Sequence, residues 1–86
     1  MKELTYFKLM NCPYCKAADG WIQELIRENP AYGAIPIKVV NEAVEVELAE
    51  SYDYYYVPTF FLGREKLHEG AATKEKIRAV LDAALQ

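Results

Sequence analysis

Leu4-Thr5-Tyr6-Phe7-Lys8-Leu9-Met10-Asn11-Cys12-Pro13-Tyr14-Cys15 is the stretch that decides how this chain is read. Its first half, Leu4 to Leu9, is short, apolar and rich in strand formers, so it reads as a buried strand. Asn11 and Cys12 break that strand. Pro13 suits the first position of a helix, because its φ is already helical and its missing N–H would be unpaired there anyway. Cys12 is then the N-cap residue. From Pro13 the apolar residues Tyr14, Ala18, Trp21, Ile22, Leu25 and Ile26 recur at helical spacing, and Asn29-Pro30 ends the run. A thiol at a helix start meets the positive end of the helix dipole and several unpaired backbone N–H groups. Both favour the thiolate, which is the nucleophile of disulfide exchange, and Cys15 puts a second sulfur beside it.

The remainder follows from the same patterns. Gly20 inside the first helix costs about 1 kcal/mol against alanine, and one use for it is close approach to a neighbour. Ile35 to Val40 reads as a second strand, with Pro36 near its start, where a lost N–H matters least. Val44, Leu48, Ala49 and Tyr52 share a helical face, which predicts a short helix from about Asn41 or Val44 to Tyr52. Thr59 to Leu62 is the third strand. Gly63-Arg64-Glu65 turns the chain into Lys66 to Glu69, its antiparallel partner. Thr73 caps a last helix, with Ile77, Val80, Leu81, Ala84 and Leu85 on one face. Strands joined through a helix run parallel, and a hairpin runs antiparallel. The expectation is an α/β fold in the order β-α-β-α-β-β-α, a four-stranded mixed sheet flanked by three helices.

The chain has 86 residues and is 52% hydrophobic, enough for one packed core spanning residues 1–86. At this size roughly 60–65% of the unfolded chain's surface becomes buried. A net charge of −3 argues against a nucleic-acid partner, which calls for a basic patch. The start is too short and polar for a secretory signal, and no run approaches the ~20 apolar residues of a membrane span. A cytoplasmic location with no membrane partner is expected, and there a cysteine pair is redox-active more often than a permanent staple. A metal site is not expected, since zinc needs four ligands and His68 is the sole histidine beside the two cysteines.

At this point the chain resembles the thioredoxin superfamily, and within it the glutaredoxins. Cys12-Pro13-Tyr14-Cys15 resembles the active-site tetrapeptide of dithiol glutaredoxins, and Val57-Pro58-Thr59 resembles the superfamily's cis-proline loop. Glu69-Gly70-Ala71 lies where that family has a glycine turn. Glutaredoxins usually carry two glycines there, close to the γ-glutamyl end of glutathione, and Glu69 replaces the first. The segment from Ala49 to Tyr52 and on to Phe60 is more similar to thioredoxins, as is Lys16 after the second cysteine. No acid stands between Leu4 and Met10, where thioredoxins carry a buried one.

The resemblance implies a thioredoxin-like fold and a thiol–disulfide oxidoreductase. Cys12 is expected to attack and Cys15 to resolve the mixed disulfide. Pro13, Tyr14, Val57, Pro58, Thr59 and Gly70 are the expected substrate-binding residues, with Pro58 cis and the Val57 backbone pairing with an extended substrate. Lys8 and Lys16 are expected to add weak positive potential. No bound cofactor is implied, and glutathione is a candidate reducing co-substrate. Expected partners are disulfide-containing proteins and either glutathione or a thioredoxin reductase. A monomer is expected, because no large exposed apolar stripe is evident. Two alternatives stay open. One is a thioredoxin-like electron donor fed by a flavoprotein reductase, for example toward ribonucleotide reductase. The other is a non-catalytic binding module. The tyrosines from Tyr52 to Tyr56 read mainly as packing, and Glu69 as a turn residue or a determinant against glutathione.

Overall fold

The structure, a computed structural model, describes residues 2–86. Strand β1 (Leu4–Lys8) leads through helix α1 (Pro13–Glu28) and a 3-10 turn (Pro30–Ala34) into strand β2 (Ile37–Asn41). A single helical turn, α2 (Val46–Glu50), precedes the hairpin β3 (Thr59–Leu62) and β4 (Glu65–Glu69), and helix α3 (Lys74–Leu85) closes the chain. The sheet order is β2-β1-β3-β4, with β1 and β2 parallel and the other pairs antiparallel. This is the mixed sheet with three helices that the patterning predicts.

β1 is the centre of the sheet, and its alternation divides the core in two. Leu4 and Tyr6 join Ala18, Ile22 and Leu25 of α1, Phe60 of β3 and Ile77, Leu81 and Ala84 of α3 in the larger cluster. Phe7 joins Val40, Phe61 and Ala49 in the smaller cluster, on the α2 side. Tyr6 and Phe60 are register partners, and their rings stack 4.5 Å apart. A buried aromatic pair of this kind contributes roughly 0.5–1.5 kcal/mol beyond its buried area.

Helix α1 stops at Asn29, which is extended (φ −140°) and whose side chain accepts the Ala31 N–H to cap the 3-10 turn that follows. Tyr32 of that turn donates to Asp82 of α3 at 2.5 Å. Lys74 at the start of α3 pairs with Glu28 at 2.5 Å and with Glu24 at 3.4 Å on α1. These exposed pairs fix register more than they add stability.

Three details differ from the sequence expectation. The second helix is one turn rather than two, because Asn41 accepts the Ala43 N–H in an Asx turn that delays its start. Val44 therefore lies outside the helix and is exposed, while Leu48, Ala49 and Tyr52 do pack inward. Pro36 precedes β2 instead of beginning it, and its carbonyl accepts the Leu4 N–H at 2.9 Å. Gly20 serves no close approach: a Cβ there would meet nothing within 4 Å.

Replacing Gly20 with alanine should thus stabilise the protein by about 1 kcal/mol, a rise in Tm of roughly 4–8 °C. Thermal unfolding followed by circular dichroism checks this; an unchanged or lower Tm would contradict the open environment seen at Gly20.

Candidate active site

β1 and the proline after Cys12 together place the first sulfur. Cys12 is extended (φ −96°, ψ 115°) and is the N-cap of α1, with Pro13 as the first helical residue. The Cys15 N–H donates to Cys12 Sγ at 3.2 Å, and the Lys16 N–H donates to the Cys12 carbonyl at 2.9 Å. The cysteine sulfur thus takes the place of the usual capping oxygen, satisfying one of the orphan donors of the first turn. Nothing acidic stands in that turn to oppose a negative sulfur.

The two thiols are not equivalent. Cys12 is half-buried, whereas Cys15 is completely buried. Burial, and then its hydrogen bond with the Cys12 sulfur, pushes the Cys15 thiol up to about 12. Cys15 therefore stays protonated while the outer sulfur is free to react. Pro13, Tyr14 and Lys16 are exposed around the outer sulfur.

Below Cys15 lies a group that reading the sequence missed. Tyr6 Oη donates to Asp19 Oδ1 at 2.7 Å and lies 3.2 Å from the Cys15 carbonyl. Lys8 Nζ pairs with Asp19 Oδ2 at 2.5 Å. Tyr6 and Lys8 alternate onto the α1 face of β1, and Asp19 follows Cys15 by one helical turn. The positive potential expected from Lys8 is therefore largely neutralised by Asp19. Burial, and then the Asp19 carboxylate, raises the Tyr6 phenol. The acid that meets β1 stands on the helix, four residues after Cys15, and not on the strand itself.

The second wall of the site is the loop entering β3. The Val57-Pro58 peptide is cis, and Pro58 and Thr59 are buried. The Thr59 hydroxyl donates to the Tyr56 carbonyl, so that side chain holds the loop and is not presented to a ligand. Among the described residues, neither the N–H nor the C=O of Val57 has a hydrogen-bond partner. Gly70 donates its N–H to the Pro58 carbonyl at 2.8 Å, and its φ of +88° is a conformation that suits glycine. Gly70 also packs on Tyr56, where an added Cβ would come to 3.7 Å from the Tyr56 Cβ. His68 Nε2 lies 2.8 Å from the Gly70 carbonyl, which fixes that nitrogen as the protonated donor.

Glu69 is what ties this loop to the sheet. Its Oε2 accepts the N–H groups of Tyr55 at 2.6 Å and Tyr56 at 3.0 Å, and its Oε1 pairs with Lys66 at 2.6 Å. Lys66 also donates to the Asp53 carbonyl at 3.1 Å. The Lys66 ammonium and the two backbone donors hold the Glu69 carboxyl down at about 2. The tyrosine run divides accordingly. Tyr52 and Tyr54 pack on Phe7 and Phe61, while Tyr55 and Tyr56 face solvent. On the other side of Cys12, an open cavity of about 330 Å³ is lined by Leu9, Met10, Asn11, Asn41 and Ala43. Among the described residues no group of three His, Cys, Asp or Glu side chains is placed to hold a metal ion, and no helix is long and apolar enough to cross a membrane.

Native protein treated with iodoacetamide near pH 7 should carry one adduct, on Cys12, and gain a second only on unfolding. Equal labelling of both cysteines by mass spectrometry would contradict the burial of Cys15. A second outcome concerns pH. Because the folded-state value of Glu69 is depressed, its contribution is complete above the ordinary carboxylate value near 4.5 and is lost as pH falls toward about 2. The amide resonances of Tyr55 and Tyr56 should hold steady from neutral pH to about 4.5 and then move together; a shared midpoint at the ordinary carboxylate value would mean the clamp is absent.

No protein-family model matches the chain, and no curated protein matches it. Solved structures do. A malarial protein is 18% identical, with 98% of this chain and 97% of that one covered and a TM-score of 0.70. A thioredoxin-like protein from Clostridium perfringens, solved in solution, is 26% identical over 98% of this chain and 71% of its own, with a TM-score of 0.67. The mixed sheet, the helix-capping cysteine and these likenesses agree on a thioredoxin-like fold.

Proposed function

We propose that the protein is a thiol–disulfide oxidoreductase, cycling Cys12 and Cys15 between dithiol and disulfide to reduce protein or mixed disulfides in the cytoplasm. The observation that carries this reading is the accessible N-cap sulfur of Cys12, which accepts the Cys15 N–H while the second thiol is buried one turn deeper. The Cys12 thiolate attacks one sulfur of a substrate disulfide. A mixed disulfide forms, and the first substrate sulfur leaves as a thiolate that takes a proton from solvent. Cys15 then gives up its proton and attacks Cys12 Sγ. The internal disulfide forms and the second substrate thiol leaves, so two electrons have passed to the substrate. The open N–H and C=O of Val57 would hold an extended substrate segment as an added strand. An external dithiol, glutathione or a flavoprotein reductase must return the two electrons.

One observation favours a reductase over glutathione. At the turn where the glutaredoxin resemblance puts a glutathione contact, the Glu69 carboxylate stays ionised and is committed to the Tyr55-Tyr56 backbone.

Insulin reduction driven by dithiothreitol tests the reading. Wild type should accelerate it, Cys12→Ser should fall to the uncatalysed rate, and Cys15→Ser should accumulate a mixed disulfide detectable by mass. Full activity in Cys12→Ser would sink the proposal, as would activity in neither the wild type nor either variant, which would leave a binding module. With glutathione as sole reductant and a small mixed disulfide as substrate, negligible turnover would identify a reductase-fed carrier, and robust turnover kept in Cys15→Ser a glutaredoxin.

A further inference from the structure

Large apolar side chains are not scattered over this surface. Met10, Tyr14, Val44, Val46, Tyr55 and Tyr56 are exposed, from 46% at Val46 to 84% at Tyr55. Of the exposed large apolar residues described, only Val39 lies elsewhere, on β2. The register explains the grouping. Lys8 pairs with Asn41 and Phe7 with Thr59, so β1 and β2 end, and β3 begins, at one edge of the molecule. Met10 and Tyr14 follow β1, Val44 and Val46 follow β2, and Tyr55 and Tyr56 lead into β3. Cys12 stands among them. An ordinary surface shows such residues singly, and a group of this kind marks an interaction site. Six of the seven exposed large apolar residues described thus gather at the end of the sheet that carries Cys12.

The charge around this face is mostly negative. Glu42, Glu45, Glu47, Glu50 and Asp53 occupy the segment between β2 and the Pro58 loop, and among the described residues none of them forms a salt bridge. Glu42, Glu50 and Asp53 line an open cavity of about 420 Å³ whose walls include Tyr52, Tyr54 and Tyr55. The neighbouring cations are committed elsewhere. Lys8 is held by Asp19 and Lys66 by Glu69, and Arg64 lies 4.0 Å above the Tyr52 ring while donating to the Ser51 carbonyl. Lys16, exposed on the first turn of α1, is the exception. The turn at 41–43 joins the two cavities: Asn41 and Ala43 face the one beside Cys12, and Glu42 faces the acidic one.

We propose that this face docks an extended segment of a protein disulfide substrate that carries apolar residues together with lysine or arginine. Its backbone pairs with Val57, its apolar side chains cover Met10 and Tyr14 around Cys12, and its cations enter the tyrosine-walled acidic cavity. There a cation gains both Coulomb attraction and the face of an aromatic ring. Glutathione, a tripeptide with two carboxylates, meets the wrong sign and fills little of the face. This inference deepens the oxidoreductase reading and rests on it.

The test uses two peptides of equal length, each closed by one disulfide and differing only in flanking Lys-Leu or Glu-Leu residues. Their single-turnover reduction by the reduced full-length protein is compared at low and high salt. The basic peptide should react about tenfold faster at low salt, and the gap should close near 1 M salt, where charges are screened within about 3 Å. Glu45→Lys/Glu50→Lys should abolish the preference; both side chains are exposed and, among the described residues, neither makes a hydrogen bond. Tyr55→Ser should slow the basic peptide several-fold. Equal rates for the two peptides, an unaltered ratio in the double variant, or an unaffected rate in Tyr55→Ser would each overturn the docking proposal. A neutral small disulfide, bis(2-hydroxyethyl) disulfide, separates the two levels. If wild type reduces it while treating both peptides alike, only the docking proposal falls. If wild type reduces none of the three, the oxidoreductase reading falls with it.

Discussion

Every part of the candidate site depends on β1 being paired along both edges and buried on both faces. Its edges are taken by β2 and β3, and its side chains alternate between two hydrophobic clusters. A strand so confined has no freedom of register, because a slip of one residue would send Tyr6 and Phe7 to the wrong clusters. The chain must therefore leave the sheet at a fixed point, after Lys8. Cys12 and the start of α1 inherit that position.

Around this fixed point the protein holds its two sulfurs in different surroundings. The outer sulfur caps a helix and meets solvent, while the inner thiol is dry and held protonated by burial. The same short helix start thus exposes one cysteine and buries the other. Asp19, Tyr6 and Lys8 fill the space beneath with a closed polar group, so that burying Cys15 leaves no buried side-chain polar atom unpartnered among the described residues.

The opposite wall is built from farther along the chain and by different means. Gly70 holds the Pro58 carbonyl, Thr59 holds the Tyr56 carbonyl, and Glu69 gathers the two tyrosine N–H groups. With these donors and acceptors used internally, Val57 is left with its backbone free. A charged residue at the late turn therefore reads as a loop organiser, its carboxylate shared between the two tyrosine N–H groups and the Lys66 ammonium.

The four strands, the long helices and the capping role of Cys12 were legible in the chain, because each rests on local rules: period-two and period-3.6 patterning, proline at a first helical position and a threonine cap. The helix around Leu48 was legible only as a helix; its shortness came from an Asx turn that competes locally for Asn41. Asp19 was invisible as a partner of Lys8 and Tyr6, since an ion pair between a strand and a helix depends on how the two pack. The role of Glu69 was equally hidden, because its partners Tyr55 and Tyr56 come to it only through the hairpin. What the sequence alone determined is that two cysteines stand at a strand–helix junction, the first of them capping the helix, since a C-x-x-C there is a local feature. What only the tertiary structure decided is the company those sulfurs keep: the apolar ring, the acidic rim and the open Val57 backbone lie together because three separate loops meet at one end of the sheet.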